Sequence, residues 1–99
     1  MNELNNKSFK IVLEALDLYN RYHSPEAEAR IVEFNEEEGK LVVEFSGTFC
    51  LTCGIRDWVE DFKYVLKGLG CEAELVEYIE PDSDLKRIGV FRIDFSRCS

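Results

Sequence analysis

Two cysteines with two residues between them, Cys50 and Cys53, are the side chains of this sequence best suited to chemistry. A pair with this spacing supplies two of the four ligands of a closed zinc site, or two thiolates of an iron–sulfur site. It also suits a dithiol redox centre, in which the first thiol attacks a partner disulfide and the second resolves the mixed disulfide. Free cysteine is also often a small buried hydrophobic residue. The spacing therefore leaves metal binding, redox chemistry and a structural role open.

Two further cysteines, Cys71 and Cys98, lie apart from this pair in the predicted fold. A helix over residues 52–69 rises ~1.5 Å per residue and separates Cys53 from Cys71 by roughly 25 Å, so one ion cannot bind both. Cys71 opens the third predicted strand and Cys98 follows the fourth, and antiparallel pairing of these strands brings the two thiols together. We expect either a disulfide or two neighbouring thiols there.

The pattern of apolar residues predicts one α+β domain over residues 1–99 with the element order αββαββ. The predicted helices cover residues 8–23 and 52–69, and the predicted strands cover residues 27–34, 40–46, 71–79 and 88–95. Short connections between consecutive strands predict two antiparallel hairpins. We expect a four-stranded, mainly antiparallel sheet with both helices on one face. The two halves share their element order but show no convincing sequence repeat.

The second predicted helix begins at the cysteine pair, where Thr52 is a residue type that caps helices. The N–H groups and dipole of a helix N-terminus favour a thiolate, so we expect the pKa of Cys50 to lie below its usual value of about 8.5. The predicted buried stripe of this helix consists of Ile55, Trp58, Val59, Phe62, Leu66 and Leu69.

His23 is the only histidine of the chain and ends the first predicted helix, where a cationic ring interacts favourably with the helix dipole. We interpret it as a helix-end residue rather than a ligand. Without a second histidine, a nucleophile elbow or a phosphate-binding glycine loop, a conventional catalytic site is hard to assemble. An enzyme is therefore the less supported class.

The chain is acidic, with 20 acidic against 12 basic side chains and a formal charge of -8. This charge repels phosphate backbones and anionic lipid headgroups, so we expect neither nucleic acid nor a membrane as partner. No apolar run approaches the ~20 residues needed to span a bilayer, and the first ten residues lack the apolar stretch of a signal peptide. We therefore expect a cytoplasmic protein.

Residues 29–79 resemble the NifU-type iron–sulfur scaffold domain, in which a hairpin leads through a Gly-x-Cys-x-x-Cys junction into a helix and a strand. Gly47, Cys50 and Cys53 carry this likeness, with one extra residue between the glycine and the first cysteine. The resemblance implies that both cysteines are metal ligands and that two chains together supply the four thiolates of a cluster. An iron–sulfur or zinc carrier acting as a homodimer is thus one functional alternative.

Residues 39–95 are similar to the 4-vinyl reductase domain, a small-molecule-binding family in which a hairpin leads into a cysteine-bearing helix and a second hairpin closes the fold. The likeness includes Gly70, Glu77 and the closing Phe91-Arg92-Ile93. It implies a non-enzymatic binding or sensing module for a hydrophobic small molecule or a metal, with its pocket between the sheet and the second helix. A dithiol redox protein is the remaining alternative. The predicted ligand-binding residues are Phe49, Trp58 and Phe62, and the predicted metal ligands are Cys50 and Cys53.

Overall fold

Two helices and four strands follow one another in the predicted order αββαββ in the computed structural model, which describes residues 3–51 and 54–98. The elements are α1 (Glu3–His23), β1 (Glu28–Asn35), β2 (Lys40–Ser46), a 3-10 turn (Thr48–Leu51), α2 (Ile55–Gly68), β3 (Glu72–Ile79), β4 (Lys86–Asp94) and a second 3-10 turn (Phe95–Arg97). The predicted α+β class is confirmed. Within the described residues, no helix is long and apolar enough to cross a membrane.

The four strands form one antiparallel sheet in the order β1-β2-β4-β3. Both predicted hairpins, β1 with β2 and β3 with β4, are present. They join through the inner strands, where Val43 pairs with Gly89 at the middle of the β2–β4 ladder. The outer strands each contain one β-bulge, between Ile31 and Glu33 in β1 and between Leu75 and Glu77 in β3.

Both helices cover the same face of the sheet, as the apolar spacing predicts. The predicted stripe of α2 is confirmed for Val59, Phe62 and Leu66, which are fully buried. Its other members, Ile55, Trp58 and Leu69, are only partly buried and pack against the core. The two helices also contact each other. The largest fully buried side chains of the core come from both helices, from β2 and β4, and from the first 3-10 turn: Val12, Tyr19, Leu41, Val43, Phe45, Phe49, Val59, Phe62, Leu66, Phe91 and Ile93.

The two halves as a whole show no convincing sequence repeat, but their outer strands correspond in sequence and in structure. β1 reads Glu-Ala-Arg-Ile-Val-Glu-Phe-Asn and β3 reads Glu-Ala-Glu-Leu-Val-Glu-Tyr-Ile, with the same succession of buried and exposed positions. The inner strands also correspond, since Lys40 and Phe45 of β2 occupy the places of Lys86 and Phe91 of β4. The repeat is hard to see in the sequence because the connection over residues 80–85 is longer than that over 36–39. An approximate two-fold axis through the Val43–Gly89 pair therefore relates the two hairpins of the sheet.

The second helix begins later than predicted, at Ile55 instead of Thr52, which itself lies outside the described residues. Gly54 is the N-cap residue and has a left-handed conformation with φ 71°. Such a φ suits glycine, which has no Cβ to clash with the backbone. The prediction of a helix running directly from the cysteine pair is therefore wrong.

Candidate functional site

Cys50 lies in the 3-10 turn Thr48–Leu51, between the end of β2 and the start of α2. Its side chain is almost completely buried, with 6% of the residue surface exposed. The turn is held by backbone hydrogen bonds, in which Cys50 N donates to Gly47 O at 3.3 Å and Phe49 N donates to Glu26 O at 3.0 Å. Cys53, the second predicted metal ligand, lies outside the described residues.

The environment of Cys50 favours the neutral thiol. Burial raises the pKa of Cys50, and the positive charge of Arg87 only partly opposes this effect. The expected low pKa is therefore wrong. The physical reason is that Cys50 precedes α2 by a separate turn and is buried, so its thiol does not occupy the first turn of the helix.

Arg87 is a neighbour of Cys50 that the sequence analysis missed. It pairs with Phe45 across the β2–β4 ladder and so lies on the helix-covered side of the sheet. Its Nε donates to the Tyr78 hydroxyl at 3.2 Å and lies 3.7 Å from a Glu80 carboxylate oxygen. The same Tyr78 ring lies 5.3 Å beneath the guanidinium of Arg56. Two cationic groups and a tyrosine therefore line the β3 side of the junction between β2 and α2.

The three predicted ligand-binding aromatics occupy two different environments. Phe49 and Phe62 are fully buried, whereas Trp58 is partly buried at the edge of the core. The Trp58 ring packs on Phe49 with 5.6 Å between ring centroids. Phe62 lies one turn further along α2, where its ring packs on Phe45 at 6.0 Å and on Phe91 at 5.4 Å. The structure thus brings Phe49, Trp58 and the turn of Cys50 together, and places Phe62 deeper in the core.

The end of α1 closes the other side of Trp58. His23 is the last residue of α1, as predicted, and its ring lies 5.7 Å from that of Trp58. One ring nitrogen is 2.9 Å from Tyr19 O and the other is 3.0 Å from an Asp61 carboxylate oxygen. The Tyr19 hydroxyl donates to Trp58 O at 2.7 Å, and burial, followed by the Asp61 charge, raises the pKa of Tyr19. These contacts fix the position of Trp58 between the two helices.

Leu51 gives the junction an exposed apolar side chain. It ends the 3-10 turn that contains Phe49 and Cys50, and 70% of its surface is exposed. The described part of the junction therefore combines an exposed leucine, a partly buried tryptophan, a buried thiol and flanking cationic groups. Neither arginine can accept a proton at neutral pH, so the two cationic groups cannot act as general bases.

Cys71 and Cys98 are not available as metal ligands, because they form a disulfide. This outcome decides between the two alternatives that the sequence left open for this pair. Among the residues that the structure describes, no group of three or more His, Cys, Asp or Glu side chains is arranged to hold a metal ion. A zinc or iron–sulfur site at Cys50 and Cys53 stays a prediction, and its remaining ligands would come from a second chain.

The fold and site define a small α+β protein with an antiparallel sheet and an aromatic and thiol-containing junction at one end. No protein-family model, curated protein or solved structure matches the chain.

Proposed function

We propose that this chain is a non-enzymatic binding or sensing module that takes a hydrophobic small molecule at the junction between β2 and α2. The observation that carries the proposal is the stepped burial of apolar side chains at this junction. Leu51 is exposed, Trp58 is partly buried, and Phe49 beneath it is fully buried. A ligand that covers Leu51 and the open edge of Trp58 would remove apolar surface from water, which is the main favourable contribution to binding of this kind.

The chemistry of Cys50 supports binding rather than catalysis. A thiol with a raised pKa is a poor nucleophile at neutral pH, because the thiolate is the reactive form. Its charged neighbour Arg87 carries a positive charge and cannot act as a general base. Cys50 therefore serves as a small apolar wall of the junction, and its alkylation rate reports on access to the site.

Trp58 provides a direct assay, because it is the only tryptophan in the chain. We would titrate the native protein with hexanol and octanol and follow the fluorescence of Trp58. Each buried methylene contributes about 0.8 kcal/mol, so octanol should bind about tenfold more tightly than hexanol. Octanoate and octylamine, which carry opposite charges on the same tail, then show whether the cationic groups near Tyr78 select the head group. An unchanged Trp58 spectrum up to the solubility limit of every probe refutes the proposal.

A matched pair of variants locates the binding site. Leu51→Ser removes the exposed apolar side chain of the junction, and we expect octanol affinity to fall about tenfold, as for loss of one buried leucine contact. Leu13→Ser is the control, because Leu13 is also a partly exposed leucine, at 43%, but lies on α1. Equal losses in the two variants would mean that the probe binds nonspecifically.

Metal analysis separates this proposal from the carrier hypothesis. If Cys50 and Cys53 bind zinc or a cluster across two chains, anaerobically purified protein should contain about half an ion or more per chain. Bound metal that is lost in Cys50→Ser, together with no response of Trp58 to octanol, would favour the carrier. Protein that stays metal-free after reconstitution excludes it.

A further inference from the structure

A cavity lies at the disulfide end of the sheet, between the first half of α1 and the turn that follows β4. Its volume is about 320 Å³, which is at the lower end of the range for small-molecule sites. Three separate segments supply its walls: Lys7, Ser8 and Ile11 of α1, Glu36 of the β1–β2 turn, and Phe95 and Cys98 after β4. The Cys71–Cys98 disulfide ties the last of these segments to the start of β3, so this wall is in place before any ligand binds.

The deeper walls of the cavity are apolar. Ile11, Phe95 and Cys98 are partly buried and pack against the core. Phe95 is held in turn by Phe34, with 5.6 Å between the two ring centroids. A small apolar side chain that covers these walls would be removed from water, which favours its binding.

One carboxylate and one ammonium group line the same cavity without a charged partner. Ser8 is only 7% exposed, and its hydroxyl donates to Glu36 Oε2 at 2.6 Å. Within residues 3–51 and 54–98, neither Glu36 nor Lys7 forms an ion pair. The bond from Ser8 fixes the Glu36 side chain but leaves its negative charge uncompensated, and an ionised carboxylate can accept further hydrogen bonds.

We propose that this cavity binds a free amino acid with an apolar side chain, such as leucine. The α-ammonium group donates to Glu36, the α-carboxylate accepts from Lys7, and the side chain covers Ile11 and Phe95. An amine alone would leave Lys7 unpaired, and a carboxylate alone would leave Glu36 unpaired. An amino acid has no net charge, so the formal charge of -8 on the chain does not repel it. The cavity is separate from the junction at Cys50, and the proposal does not depend on the function proposed there.

Isothermal titration calorimetry of the full chain with leucine, from about 10 µM to about 10 mM, tests the proposal. We expect glycine to bind at least tenfold more weakly than leucine, because it has no side chain to cover the apolar walls. Isopentylamine and isocaproate keep the leucine side chain but carry only the amino or only the carboxylate group. Each should also bind at least tenfold more weakly, because one charged hydrogen bond is lost.

Two matched pairs of variants test the charged groups. Glu36→Gln removes the negative charge and keeps the shape of the side chain, so leucine should bind at least tenfold more weakly. Glu37→Gln is its control, because the adjacent Glu37 is exposed and does not line the cavity. Lys7→Gln should weaken binding in the same way, with the exposed Lys10→Gln as control. Circular dichroism verifies the fold of each variant.

Amide NMR signals locate the bound ligand. Leucine should shift the signals of Ser8, Ile11 and Phe95 and leave that of Trp58 unchanged. Absence of both heat and shifts up to about 10 mM leucine overturns the proposal. Equal affinity for leucine and isopentylamine, or for leucine and isocaproate, also overturns it, because the site then recognises a single charge. Shifts confined to the surroundings of Trp58, or a loss in Glu37→Gln as large as in Glu36→Gln, would equally refute it.

Discussion

Gly89 of β4 lies against Val59 of α2, and replacing it with alanine tests the packing between the sheet and this helix. A Cβ added at this position would lie 2.8 Å from Phe91 Cε1 and 2.9 Å from Val59 Cγ1. Neither neighbour can move easily, because both side chains are fully buried and valine is restricted at χ1. Overpacking of this kind costs about 1 to 3 kcal/mol, partly offset by about 0.5 to 1 kcal/mol from the lost flexibility of glycine. We therefore expect Gly89→Ala to lower the free energy of unfolding by about 1 to 2 kcal/mol.

Urea unfolding followed by Trp58 fluorescence measures this change, and the midpoint should fall while the denaturant slope stays constant. In a thermal scan, the same cost lowers the melting temperature by about 5 to 15 °C for a domain of this size. Gly68→Ala is the control, since no atom lies within 4 Å of its added Cβ, and we expect no loss of stability. Adding Val59→Ala removes the methyl group that the new Cβ meets, so the two changes should be less harmful together than their sum. If Gly89→Ala is as stable as Gly68→Ala, the proposed contact between the sheet and α2 is wrong.

Three further substitutions test the core, the disulfide and the thiol. Val59→Asp places a carboxylate among fully buried side chains and should lower the free energy of unfolding, measured in urea, by several kcal/mol. Glu60→Gln, at the next position, should change this free energy little. Cys98→Ser removes a disulfide between residues 27 apart in sequence. Chain entropy predicts that this lowers the free energy of unfolding by about 3.5 kcal/mol. An unchanged urea midpoint, measured with and without reductant, would contradict the pairing with Cys71. Burial raises the pKa of Cys50, so the folded state keeps the thiol proton after the unfolded chain has lost it. The free energy of unfolding should therefore fall as the pH rises above about 8.5, and less steeply in Cys50→Ala; identical pH profiles would refute the buried thiol.

The elements with regular side-chain alternation could be predicted from sequence, whereas the sheet order could not. Leu41, Val43 and Phe45 alternate without interruption, and β2 has the predicted bounds of 40–46. Pairing of consecutive strands follows from their short connections. The sequence of each hairpin does not determine which of its two strands lies at the centre of the sheet. The structure gives a physical reason for the observed order, because the bulged strands β1 and β3 lie at the edges and the regular strands β2 and β4 pair.

The candidate site was only partly accessible to sequence reasoning. The neighbourhood of Cys50, Phe49 and Trp58 follows from their positions at the end of a strand and the beginning of a helix. Thr52 is a favourable capping residue and predicts too early a start for α2. The helix instead begins after the left-handed Gly54, which has no side chain to signal a cap. The sequence does indicate that Arg87 faces the helices, since residue 87 lies on the same face of β4 as the core-facing positions 89, 91 and 93. An arginine at such a position is expected to have specific partners, which here include the Tyr78 hydroxyl.

The approximate symmetry of the two hairpins explains why the site proposed at Cys50 lies at one end of the sheet. At the far end, the Cys71–Cys98 disulfide joins the segment after β4 to the start of β3. The position equivalent to Cys71 in the first half, 44 residues earlier, is Ala27, which cannot form this link. The turn of Cys50 is instead attached by backbone hydrogen bonds, from Phe49 N to Glu26 O and from Gly47 N to Leu85 O. Segments held without covalent links open at a lower free energy, and ligand-binding regions are drawn from such segments. The disulfide thus stabilises the far end covalently, whereas the described contacts of the Cys50 turn, where we propose that a ligand binds, are hydrogen bonds.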